Sequence, residues 1–127
     1  MIQITNFLEL YNAGATLNLK DWQFTSGISH TFESHLFEAG TYLVLVANIE
    51  NTSAILEASV IEWASNNNLL NDEQTVTLVD STGAIIDTLT YDTRASAGWP
   101  TSANGGGKSL ELNDPLSDNA DPANWHA

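Results

Sequence analysis

Short runs of alternating apolar and polar residues, each stopped by a turn signal, leave this chain little choice but a half-buried antiparallel sheet. Phe7 to Asn12 reads as a strand ended by Asn12-Ala13-Gly14. Ala15 to Leu19 and Trp22 to Thr25 follow, with Leu17, Leu19, Trp22 and Phe24 on inward faces, and His30 to Glu33 is a short further strand. Tyr42 to Ala47 is apolar at every position, the pattern of a central strand covered on both sides. The clearest hairpin is Thr75–Asp80, turned by Ser81-Thr82-Gly83 and returned by Ala84 to Tyr91, with Val76 and Leu78 inward. Lys108 to Leu112 supplies a last strand, Leu110 and Leu112 pointing in.

One stretch departs from this rhythm. Asn51-Thr52-Ser53 ahead of Ala54–Ala58 has the polar start of a short helix near residues 52–59, and Val60 to Trp63 returns to extended chain. The whole reads as one all-β domain over residues 1–127, a β-sandwich of about 7–9 antiparallel strands. With hydrophobic residues at 43%, the chain carries enough apolar material for one core.

Charge narrows the choice of partner. Sixteen Asp and Glu face three Lys and Arg, a formal net charge of −13. Nucleic acids and anionic membranes are bound by cations that displace counterions, so both are disfavoured. The longest apolar run, Tyr42 to Ala47, falls far below the ~20 residues of a spanning helix, and Met1 to Asn6 lacks the features of a signal peptide. Self-repulsion at this charge favours a monomer and predicts that moderate salt raises the melting temperature.

The motifs that could carry chemistry each meet a structural reading. Gly105-Gly106-Gly107-Lys108-Ser109 looks like the end of a phosphate loop, but Ser102 stands where that motif needs a glycine, and a strand follows instead of a helix. Gly107 is better placed to ease entry into the last strand. His30, His35 and His126 lack a zinc-site pattern, and no cysteine exists to supply thiolates or disulfides. Gly27-Ile28-Ser29-His30-Thr31 lacks the second glycine of a serine nucleophile elbow. Asp72-Glu73 reads as a solvated pair, and Asn51-Thr52-Ser53 is a formal glycosylation sequon. No catalytic group is expected, and no cofactor.

Two binding possibilities remain. Asp114, Asp118 and Asp121 lie in an Asp/Asn-rich segment with the oxygen ligands calcium prefers, although Asp114-Pro115 and Asp121-Pro122 equally cap backbone amides with proline at the first helical position. Of the four tryptophans, Trp22 and Trp125 fit core roles, whereas the loop Ala97-Gly98-Trp99-Pro100 is expected to show its indole to solvent. Trp99, with Asn67 and Asn68 of the Asn66–Asp72 loop, is therefore expected to meet partners.

In order along the chain, these pieces resemble the lamin-tail domain family. Phe7-Leu8-Glu9-Leu10-Tyr11-Asn12 and Leu17-Asn18-Leu19-Lys20-Asp21-Trp22 are similar to its opening. Phe24 to Ile28, Thr31-Phe32, Gly40 to Val44 and the hairpin Thr75–Tyr91 follow. Gly98-Trp99-Pro100, Gly105 to Leu112, Asp114-Pro115 and Asp121-Pro122-Ala123-Asn124-Trp125 are similar to the ending of its bacterial members. The family usually opens with a further strand, for which Met1 to Thr5 is all that is left here. The resemblance implies an immunoglobulin-like sandwich with no catalytic residues. In nuclear lamins such domains bind proteins and chromatin; the bacterial ones are modules of large exported proteins. By that resemblance this chain is expected to be excised from an extracellular or cell-surface protein, serving recognition, adhesion or spacing, with a calcium-stabilised domain as the alternative.

Overall fold

The computed structural model describes residues 7–46, 59–63, 73–93, 98–101 and 110–126. In chain order the strands are β1 (Phe7–Tyr11), β2 (Leu17–Asn18), β3 (Gln23–Ser26), β4 (His30–Thr31), β5 (Leu36–Phe37) and β6 (Tyr42–Val46). They continue with β7 (Ser59–Glu62), β8 (Glu73–Val79), β9 (Ile85–Asp92), β10 (Glu111–Leu112) and β11 (Trp125–His126). One sheet runs β1-β6-β7 and the other β4-β3-β8-β9, while β2–β5 and β10–β11 form two short antiparallel pairs.

The alternation read from sequence sets the two facing layers. Leu8 and Leu10 of β1 and Leu43 and Leu45 of β6 point inward from one sheet. Phe24 of β3, Val76 and Leu78 of β8, and Leu89 and Tyr91 of β9 belong to the same buried cluster. Removing each leucine side chain from water contributes about 1.5–3 kcal/mol, which makes this layer contact the main stabilising element. Val44 and Val46 alternate to the opposite side of β6 and are buried as well, as its unbroken apolar run implied.

The hairpin is local chemistry. Asp80 Oδ1 accepts from Thr82 N at 2.9 Å, Thr82 Oγ1 at 2.7 Å and Ala84 N at 3.1 Å, so a single carboxylate oxygen organises the turn. These hydrogen bonds favour the ionised acid and hold its pKa below the ordinary value, the Thr82 hydroxyl first among them. Gly83 completes the turn at φ +86°, a backbone region that penalises residues with a Cβ. Outward threonines pair across the strands, Thr75 with Thr90 at 2.7 Å and Thr77 with Thr88 at 3.0 Å.

Several expectations need correction. The strands are not all antiparallel: β7 runs parallel to β6, Leu43 facing Ser59 and Val46 facing Glu62. A parallel neighbour requires a crossover of about a dozen residues, which residues 47–58 supply in length. The helix expected near residues 52–59 lies outside the described residues as far as 58, and Ser59 opens β7. Strands β5 and β11 are additional, each only two residues long and too short for alternation to reveal. Met1–Thr5, all that is left for the family's opening strand, and the positions Asn67, Asn68 and Gly107 lie outside the described residues.

Trp99 is the largest correction. Only 8% exposed, it is part of the core and does not face solvent. Its ring lies 5.5 Å from that of Trp125, tilted by 46°, a separation at which aromatic pairs attract. Gly98 at φ +83° turns the chain just before it. Trp125 and Leu110 join the same cluster, and Leu112 packs against it, so the closing segment shares the core of the two sheets. Among the described residues, no helix is long and apolar enough to cross a membrane.

Candidate functional site

Residues 113–124 form a chain of tight turns built by aspartates. Asp114 Oδ1 accepts from Leu116 N, Asp118 Oδ1 from Ala120 N and Asp121 Oδ1 from Ala123 N, each at 2.9 Å. Each side chain thus satisfies the amide two residues on, the local geometry that gives Asp its turn preference. Asp121 caps a single 3-10 turn, Pro122–Asn124, with proline at its start. Asn119 ties the segment to β9 by donating from Nδ2 to Asp87 Oδ2 at 2.8 Å, and its carbonyl accepts from Trp125 Nε1 at 2.9 Å. The three aspartates therefore serve the backbone. Among the described residues no three His, Asp or Glu side chains gather to hold a metal ion.

His30 and His35 line one cleft of about 360 Å³ together with Glu33 and Glu62. The His30 ring meets Phe32 edge-on at 4.7 Å, and burial lowers its pKa by disfavouring the charged form. The third histidine lies elsewhere. His126 places Nδ1 2.6 Å from Asn113 Oδ1 and Nε2 3.2 Å from Glu111 Oε2, fastening β11 to β10.

An aromatic and acidic surface adjoins the end of β1. The rings of Tyr11 and Tyr42 meet at a tilt of 43°, their centres 4.8 Å apart. Burial raises the pKa of Tyr42, and the negative charge of Glu9 adds to it, followed by Tyr11 and Asp114. Glu9 is half-buried, so loss of hydration pushes its carboxyl upward, with Glu111 repelling its charge as the second cause.

A second cleft, of about 290 Å³, opens beside these tyrosines. Its floor is the core itself: Leu10, Leu19, Phe37 and Leu78. Trp22 and Tyr11 form half-buried walls, so Trp22 packs against the core as expected while also facing this opening. Asn12, Ala13, Leu17, Ile86, Asp87 and Pro115 complete the lining. Asn12 stabilises the neighbouring chain: its buried Nδ2 donates to Phe37 O at 2.9 Å and Ala15 O at 3.0 Å, while Oδ1 accepts from Gly14 N at 2.9 Å.

Sequence reasoning missed Ile86 and Asp87. Partners jump from Leu78↔Asp87 to Val79↔Ile85, a bulge that leaves Ile86 without a partner on β8. A period-two strand sends consecutive side chains to opposite faces, yet Ile86 and Asp87 both line the cleft, as a bulge permits. The available signal was the doublet Ile85-Ile86 inside an alternating strand.

Two facing sheets, closed by a C-terminal segment that contributes its indole to their shared core, define an immunoglobulin-like β-sandwich. The model of the Lamin Tail Domain family matches residues 3–93, and the chain belongs to that family. The matched region contains both sheets and stops before the closing turns. No curated protein matches the chain.

Proposed function

We propose that this chain is a non-catalytic recognition module of an exported or cell-surface bacterial protein with several domains, working as a monomer without a cofactor. Its partner is another protein or a neighbouring domain of the parent chain, and not a nucleic acid or a membrane. Membership of the lamin tail domain family carries the reading. The way the acids are used supports it: Asp80, Asp114, Asp118 and Asp121 all spend a carboxylate oxygen on backbone amides. Those contacts rigidify loops, and rigid loops on a sandwich are suited to recognition.

The strong negative charge permits a direct test, since 16 carboxylates offer coupling sites to the lysines of a partner. The full-length parent protein, in its native cells, is treated with a carbodiimide that joins carboxylate to amine without a spacer. Links from this module to lysines of a separate protein or of a neighbouring domain are the expected result, with the parent found in the exported or surface fraction. Links confined to the module itself, or substrate turnover by the purified chain, would overturn the proposal.

A further inference from the structure

We propose that the 290 Å³ cleft receives one large apolar side chain from a basic protein segment, with Lys or Arg on either side of that anchor. The assignment rests on the recognition reading above and names the surface and the partner chemistry that serve it.

The shape sets the anchor. Ligand cavities usually measure about 300–1,000 Å³, so this one holds one side chain or two, and not an extended ligand. Apart from the buried Asn12 its floor is apolar, and its walls carry Trp22 and Tyr11, aromatic types that dominate protein interfaces. At its edge Ile86 adds an apolar side chain that is 49% exposed. The β9 bulge brings Ile86 and Asp87 together at this edge, so an apolar contact and a carboxylate stand side by side.

Charge sets what flanks the anchor. Asp87 lines the cleft, while Asp21 and Asp114 directly adjoin the lining residues Trp22 and Pro115 in the chain. Against them stands Lys20, the one Lys or Arg among the described residues. The net charge of −13 extends this field over the molecule, which attracts a cationic segment and repels anionic lipid or nucleic acid.

The test uses the intact chain and three capped peptides, KKFKK, KKSKK and EEFEE, titrated at low salt and followed by amide and indole NMR shifts. KKFKK is expected to move the signals of Tyr11, Trp22, Ile86 and Asp87 and to bind at least tenfold more tightly than either control. Ile86→Ser should weaken it about three- to tenfold with its melting temperature unchanged, and Asp87→Asn should weaken it by a similar factor. Ile86 is about half exposed, so its replacement leaves the core intact. Equal affinity for KKFKK and KKSKK, or shifts centred away from the cleft, overturns the assignment. Equal binding of EEFEE overturns its basic character. The two proposals fail separately: partner lysines coupled to carboxylates far from the cleft would keep the recognition role and discard this site, whereas a filled cleft on a module that couples to nothing would do the reverse.

Discussion

Replacing Gly27 by alanine separates two costs that usually arrive together. Gly27 sits at φ +87°, where an L-residue is disfavoured by about 1–2 kcal/mol. A Cβ built there would also lie 2.8 Å from Val76 Cγ2, 2.9 Å from the Thr75 carbonyl oxygen and 3.2 Å from Val76 Cα. Val76 is fully buried in β8, and two of the three obstacles are backbone atoms, so the strain cannot be relieved by one rotamer change. Overpacking of this kind typically adds about 1–3 kcal/mol. The total, about 2–5 kcal/mol, is a large share of the ~5–15 kcal/mol available to a domain. Gly83 is the control, because it has nearly the same φ, +86°, with no atom within 4 Å of its Cβ position. Gly83→Ala should therefore show only the backbone cost, about 1–2 kcal/mol. Urea unfolding of both variants, with slopes matched to the parent, gives the difference directly. A Gly27→Ala midpoint no lower than that of Gly83→Ala would refute the close approach of the Gly27 turn to β8.

Other consequences are equally open to measurement. Trp99→Ala should cost about 3–5 kcal/mol in denaturant unfolding, and an unchanged midpoint would return this indole to the surface. Asn12→Ala removes the Nδ2 donor from the Phe37 carbonyl and should cost about 1–3 kcal/mol, with Asn12→Asp no better at neutral pH because a carboxylate would face two carbonyl oxygens. Glu9, raised above its ordinary value of 4.5, stabilises the fold fully below that pH and loses this contribution as pH rises through its folded pKa. Glu9→Gln should therefore raise the melting temperature at pH 7 and converge with the parent below about pH 4; Asp80, whose pKa is lowered, acts in the opposite sense and loses its contribution on acidification. Moderate salt should raise the melting temperature by screening the −13 charge, and a flat or falling response would contradict that.

Features closed within a few residues could be read from the order of residues alone. The hairpin from β8 to β9 depends on Asp80 reaching Thr82 and Ala84, and the Asp turns depend on amides two residues away. Alternation assigned Leu19, Phe24, Val76 and Leu78 to buried positions because a strand's period belongs to its own backbone. Family resemblance and strand pattern agree for the same reason, since both rest on these local signals in sequence order.

Other properties arise only when distant segments meet. Trp99 lies in a short Gly-Trp-Pro loop, and its burial depends on Trp125 arriving 5.5 Å away from the far end of the chain. The direction of β7 depends on which edge of β6 it joins, a choice its own four residues do not encode. The cleft draws Leu10, Phe37, Leu78 and Pro115 from four separate stretches, and one unpaired residue in β9 sets its edge. Hydrogen bonds to a neighbouring amide and strand periodicity act over a few ångströms along one backbone, so composition and order reveal them. Close approach, burial and the shape of an opening are set by the summed packing of many segments, and only the assembled sandwich decides them.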